Sequence, residues 1–134
     1  MPGNLGCSTY SRMDSDRQQT LRRRRVLHEQ LRELSRGPLM RGSVVERARQ
    51  CGRPNCVCAR DAVARHKGKY LSVQLNGRTQ GLHVRPEDED RIRAAIAAYE
   101  RLWKIVNLLT ECELSDLRRQ ARERRRSRKR RAAT

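Results

Sequence analysis

"KYLSVQLNGRTQGLHVR", residues 69–85, is the stretch on which the fold turns. Apolar and polar residues alternate on either side of Asn76-Gly77, which is the period of a half-buried strand. Asn-Gly between two such runs predicts a two-residue hairpin loop of type I′, because both central residues must adopt positive φ and these two do so at least cost. The loop then sets the register. Leu75 stands opposite Arg78, Leu71 opposite Leu82, and Tyr70 opposite His83. One face of the ribbon carries Leu71, Val73, Leu75 and Leu82. The other is polar and carries Tyr70, Ser72, Gln74, Thr79, Gly81 and His83.

Upstream, "RGSVVERARQ" (41–50) is β-branched near its start and reads as a third strand. Before it, Asp14 or Ser15 can cap a helix that runs to about Arg36, where Gly37-Pro38 stops it. Leu27, Leu31 and Leu34, spaced i, i+4, i+7, form its apolar stripe, with Leu21 and Val26 nearby. Residues 1–13 are rich in Gly, Ser and Asn and are expected to be unstructured, with Met13 an alternative start. Downstream, Pro86 opens a second helix, and Glu87, Asp88, Glu89 and Asp90 fill its first turn, where carboxylates meet the positive end of the helix dipole. Ile92, Ile96, Tyr99, Leu102, Trp103, Val106 and Leu109 recur about every 3.5 residues, a coiled-coil-like seam. Tyr99 and Trp103 are candidate core residues, and residues 110–115 are a place where the helix could break.

These elements make an α+β protein: an N-terminal helix, a small antiparallel sheet of three strands with a cysteine-rich turn, and a long C-terminal helix with a basic tail. The expected division is 1–13 unstructured, 14–117 a single small domain, and 118–134 the tail. Only 36% of the 134 residues are hydrophobic and Phe is absent, so the chain supports one modest core. A domain that lean needs a metal or a partner to hold it. No apolar run approaches the ~18 residues of a membrane span, and the N-terminus lacks the apolar centre of a signal peptide. A cytoplasmic location is expected, and no membrane partner. In that reducing compartment five cysteines read as thiols or ligands, not as a disulfide framework.

Three of them gather in "RQCGRPNCVCARDAVARHKGKY" (49–70): Cys51, Cys56 and Cys58, followed by His66. Zinc wants four such donors at tetrahedral corners. Gly52, Pro54 and Asn55 are turn formers that let Cys51 and Cys56 face one point. Cys56 and Cys58, two apart, leave extended backbone on the same side. His66, just before the hairpin, can close the site, with His83 as a rival fourth ligand. Against this stand two plainer readings: reduced thiols with a surface histidine, or a redox site whose thiolates Arg53 and Arg60 favour. Cys7 and Cys112 are bystanders.

The formal charge of +17 calls for a polyanion, because self-repulsion on that scale is otherwise a cost. Of the 32 Lys and Arg, four are lysine (67, 69, 104 and 129), leaving 28 arginines. Arginine grips phosphate with a planar fork and stays charged. Arg22, Arg23, Arg24 and Arg25 form one cluster. Arg118, Arg119, Arg122, Arg124, Arg125, Arg126, Arg128, Lys129, Arg130 and Arg131 form a second, ten cations against Glu123 alone. Phosphate contact is the expected use of both. A solvated basic end that does nothing specific is the bland alternative. On the hairpin, Tyr70, Gln74, Thr79 and His83 could read bases in a major groove, or could line an ordinary wet sheet face. Aromatic residues are too few, at 3%, for a single-strand stacking platform. The helical seam is expected to be core or a dimer contact through 86–117. No phosphate loop, nucleophile–base set or HExxH motif is present, so no enzyme is expected.

"MRGSVVERARQCGRPNCVCA", then His66, Gly68 and Tyr70-Leu71-Ser72, then "NGRTQGLHV" and Pro86 before a helix, resembles a family of small prokaryotic proteins known as a domain of unknown function. The likeness covers about residues 40–105, and Cys51, Gly52, Pro54, Cys56, Cys58 and His66 match its pattern position by position. The family's H-G-P-Y-Y is here His66-Lys67-Gly68-Lys69-Tyr70. Members of that family are met in mobile-element and plasmid settings, so the resemblance implies a DNA-linked accessory role. The expected function is a zinc-stabilised nucleic-acid-binding module, with DNA favoured over RNA, that regulates or assists a mobile element. The alternatives are an oligomeric helical scaffold that binds other proteins and, behind it, a thiol redox sensor.

Overall fold

The computed structural model describes residues 8–134. In chain order it holds helix α1 (Ser8–Arg36), strand β1 (Ser43–Arg49), a 3-10 turn (Val57–Ala59), strands β2 (His66–Leu75) and β3 (Arg78–His83), a second 3-10 turn (Pro86–Asp88) and helix α2 (Glu89–Ala132). This is the α+β order read from the sequence. Helix α1 begins at Ser8, earlier than Asp14 or Ser15. The rest of the stretch expected to be unstructured, together with Cys7, lies outside the described residues. The helix ends at Arg36, immediately before Gly37-Pro38. No break occurs at 110–115, and α2 runs without interruption for 44 residues. Among the described residues, no helix is long and apolar enough to cross a membrane.

The chain divides into two compact units, one of Gly37–Arg101 and one that joins the chain up to Arg36 with Leu102–Thr134. In the first, the strands form an antiparallel sheet in the order β1-β2-β3. Tyr70 pairs with His83, Leu71 with Leu82 and Leu75 with Arg78, the register that the turn predicted. Asn76 and Gly77 take φ of 52° and 74°. Strand β1 adds to the other edge of β2, from Ser43 opposite Ser72 to Arg49 opposite His66. Leu71, Val84 and Ile92 form the buried core, with Met40, Val44, Val73 and Ile96 packed around it. One sheet face thus lies on the start of α2.

That apolar face is covered only in part. Leu82 keeps 63% of its surface exposed, and Leu75 is exposed as well. The segment leading into β1 is held by three contacts. The Met40 N–H donates to the Ala95 carbonyl. The Arg41 guanidinium donates to the Gln74 carbonyl at 2.6 Å. A Cβ on Gly42 would lie 2.9 Å from the Ser72 carbonyl oxygen, so only glycine lets the chain approach that closely.

The turn offers a test of the register. A Cβ at Gly77 meets nothing within 4 Å, so the cost of a Cβ there is backbone strain at positive φ. Gly77→Val should destabilise the sheet by at least ~1–2 kcal/mol, because a β-branched residue is forced into left-handed φ. Gly37→Ala, whose site is equally open and has no positive φ, is the control. Denaturant unfolding of the two variants should separate them. Equal loss would show that the turn does not set the register.

In the helical unit, Leu27, Ile105 and Cys112 are buried, with Leu31, Leu34, Leu108 and Leu109 against them. The stripe on α1 is as expected. On α2 the inward positions are 105, 108, 109 and 112, an i, i+3, i+4, i+7 set of which Ile105 and Cys112 are buried and Leu108 and Leu109 partly so. Trp103 stands two residues before Ile105, about 200° around the helix, and is 56% exposed instead of buried. Cys112 is core, not a bystander. Arg24 donates to Asp116 at 2.6 Å and pairs with Glu113 at 3.0 Å, while Arg119 pairs with Asp116 at 2.9 Å. The hydrogen bond from Arg24 holds the Asp116 carboxyl below the usual range, and Lys69, followed by Arg93, does the same for Glu89 in the sheet unit. Both depressed carboxyls therefore stabilise the fold at neutral pH, and that stability is lost as pH falls through and below the ordinary carboxylate range.

Candidate metal centre

The 16 residues between β1 and β2 begin and end at the last rung of the ladder, where Arg49 pairs with His66. The loop is tied at its base, so its conformation is decided within a short span. Gly52 turns the chain with φ of +78°, a conformation that other residues adopt only under strain. The Cys56 N–H donates to the Arg53 carbonyl, and Cys56 then starts the 3-10 turn Val57–Ala59. That turn aims Cys58 inward, where it is 1% exposed.

The consequence is a convergence of four donors. Sγ of Cys51, Cys56 and Cys58 and a ring nitrogen of His66 all lie within 4.8 Å of one another. Cys51 Sγ and Cys58 Sγ are 3.5 Å apart, and Cys56 Sγ is 3.3 Å from His66 Nε2. A tetrahedral ion with metal–sulfur bonds of about 2.3 Å needs its sulfurs roughly 3.8 Å apart. The four residues are therefore close enough, and of the right kind, to hold a metal ion. His83 is outside this group. Its ring sits edge-on to Tyr70, with centroids 5.2 Å apart.

The surroundings favour thiolate at Cys56 and oppose it at Cys58. Cys56 is held below the usual thiol range, first by the backbone N–H of Cys58 and then by the Cys58 and Cys51 side chains. The Cys51 N–H donates to Cys58 Sγ at 3.4 Å and pulls that thiol down, but burial and the neighbouring sulfurs outweigh it, so Cys58 is pushed up on balance. A cation at the centre would reverse that balance, because a coordinated thiol is deprotonated outright.

The other residues singled out in the sequence fall in two places. Tyr70, Gln74, Thr79 and His83 share the sheet face away from α2. Arg22–Arg25 lie on α1 and residues 118–131 lie along α2. Arg24 is turned to internal ion pairs, and Arg23 reaches Glu111 at 3.7 Å. Sequence reasoning passed over Arg49, whose guanidinium lies 4.4 Å from the centroid of the Tyr70 ring. Only the pairing of β1 with β2 reveals that neighbour, and the mixed pattern of β1 carries little trace of it.

Comparison with known proteins adds one finding. The chain belongs to the family described as Domain of unknown function (DUF6788), whose model matches residues 17–94. That match takes in α1 from Arg17 onward, the whole sheet, the four-donor loop and the start of α2. No curated protein and no solved structure matches the chain.

Proposed function

We propose that this member of the family is a non-enzymatic nucleic-acid-binding module whose sheet unit is held together by zinc. The observation that carries the reading is the basic end of α2. Ten cations from Arg118 to Arg131 lie on one continuous helix. Thirteen steps of 1.5 Å make about 20 Å, so the segment carries roughly one cation per 2 Å, close to the one charge per ~1.7 Å of duplex DNA. Arg118, Arg122, Arg126 and Arg130 repeat at i, i+4, where like charges repel. A polyanion relieves that repulsion and so favours binding.

Zinc follows from the donor set. Three thiols and an imidazole suit a borderline-soft, four-coordinate ion, and no fifth, open position is needed for a structural role. DNA is favoured over RNA because a sheet face or basic helix can enter a B-form major groove, whereas the A-form groove is too deep and narrow. Gln74 and Thr79 are the candidate base readers. Substituting both with alanine should change sequence preference but leave the salt dependence of binding nearly unchanged. A cytoplasmic location keeps the ligand thiols reduced. An accessory or regulatory role for a mobile element rests on the resemblance alone. A salt titration of duplex binding tests the reading as a whole.

A second reading, self-association through α2, is favoured by Trp103, Leu114 and Leu117, large apolar residues left exposed on that helix. Sedimentation at high micromolar concentration should show a dimer that Trp103→Lys weakens. A wild-type monomer under those conditions would refute it.

A further inference from the structure

We infer that the sheet face opposite α2 is a second duplex-DNA contact surface, with Arg47 and Arg49 as its phosphate contacts. This inference rests on the nucleic-acid reading above and adds to it the phosphate contacts of the face that carries Gln74 and Thr79. The register puts Ser43, Val45, Arg47 and Arg49 of β1 on the same face as His66, Gly68, Tyr70, Ser72 and Gln74 of β2 and Thr79, Gly81 and His83 of β3. None of these strand positions is acidic. The one carboxylate in the sheet, Glu46, is one residue out of phase and points to the opposite face. In a chain with 15 Asp and Glu, that leaves one sheet face free of carboxylates and bearing two arginines.

The face has three parts. At one end is the four-donor loop, reached through His66. At the other is a shallow depression of about 530 Å³ lined by Arg41, Gly42, Ser43, Ser72, Gln74 and Thr79, hydroxyls and an amide with one cation. Between them Tyr70 and His83 lie over Gly68, where a Cβ would come within 3.2 Å of Tyr70 Cε2 and 3.4 Å of His83 Nε2. Hydrogen-bonding groups suited to base edges are thus flanked by arginines suited to phosphates.

The middle of the face decides between duplex and single strand. A stacking platform needs an aromatic ring with a free face. The Tyr70 ring is already engaged by Gly68 beneath it, the edge-on His83 and the Arg49 guanidinium. The Tyr70 ring is therefore not free to stack on an unpaired base. The β2–β3 hairpin is a two-stranded ribbon, the element that a B-form major groove ~12 Å wide admits, and β1 flanks it with Arg47 and Arg49. Duplex DNA is the occupant that this shape and charge fit.

The test uses the full chain and a labelled duplex, with affinity followed from about 50 to 200 mM salt. Arg47→Ala/Arg49→Ala should make the log–log salt slope shallower by about two, one for each lost phosphate contact. Lys67→Ala/Arg78→Ala removes the same charge from the other sheet face and should leave the slope nearly unchanged. Arg49→Lys keeps the cation and should retain its share of the slope. Far-UV circular dichroism and thermal unfolding of every variant show that the fold is intact. Equal effects from the two faces, or no effect from Arg47 and Arg49, overturn the inference. If removal of the 118–131 cations still weakens binding in that case, the nucleic-acid reading stands without this surface. If the wild-type chain binds no duplex, both fall.

Discussion

Cys56→Ser is expected to strip the metal from the chain and to unfold the sheet unit under conditions in which the wild type is folded. The reason is the size of the core. Leu71, Val84 and Ile92 are the buried residues of its hydrophobic cluster, and full burial of such a side chain is worth only about 1.5–3 kcal/mol. Structural zinc in small peptides contributes about 10–16 kcal/mol at neutral pH, and that binding energy is folding energy. The loss should therefore far exceed the ~1 kcal/mol of an ordinary substitution. Cys56 is the informative ligand because it is less deeply buried than Cys58, so its replacement removes a donor without opening the core. Elemental analysis of protein purified without added metal should find one zinc per chain. Cobalt substitution should give the absorption of a tetrahedral thiolate site. His66→Ala should lose metal, whereas Cys112→Ser, in the other unit, should keep it. Because the ligands bind deprotonated, metal should be released as pH falls. Wild-type protein that is folded and free of metal would end the zinc reading.

Removing residues 118–134 is expected to lower affinity for every duplex tested and to flatten its salt dependence. If six to ten of the cations on α1 and α2 meet phosphates, wild-type affinity should fall by about 10³ to 10⁵ between roughly 50 and 200 mM salt. The ion pairs of Arg23, Arg24 and Arg119 with Glu111, Glu113, Asp116 and Glu123 bring the expected figure toward the lower end. The truncation ends beyond Asp116 and Cys112, so the helical core and its Arg24–Asp116 bond remain. Binding that ignores salt, or that survives the truncation unchanged, would mean that the charge serves something other than phosphate.

Much of the architecture was legible before any coordinates, for local reasons. Asn76-Gly77 needs only its own φ preferences to make the turn, and period-2 alternation carries the register from there to Tyr70 and His83. Gly37-Pro38 ends a helix without tertiary help. The metal cluster was legible because its residue types are unusual and closely spaced, and because the turn formers between them act locally. The seam on α2 was legible at Ile92, Ile96 and Leu109 but not at Trp103, because a repeat of about 3.5 drifts against the 3.6-residue turn, and nothing in the sequence says which phase faces α1.

The sequence by itself determined the hairpin, the helix stop, the four-donor loop and the density of positive charge, each the outcome of short-range geometry or composition. Only the tertiary structure decided which partners meet across long separations. It set Ile105 and Cys112, not Trp103, against Leu27, because burial follows the rotation of one helix against the other. It turned Arg24 from a phosphate candidate into the partner of Asp116, 92 residues away, because a half-buried guanidinium needs a carboxylate within reach. It laid β1 beside β2, which brought Arg49 over Tyr70 and cleared one sheet face of acid, because a strand's neighbours depend on pairing that its own residues do not encode.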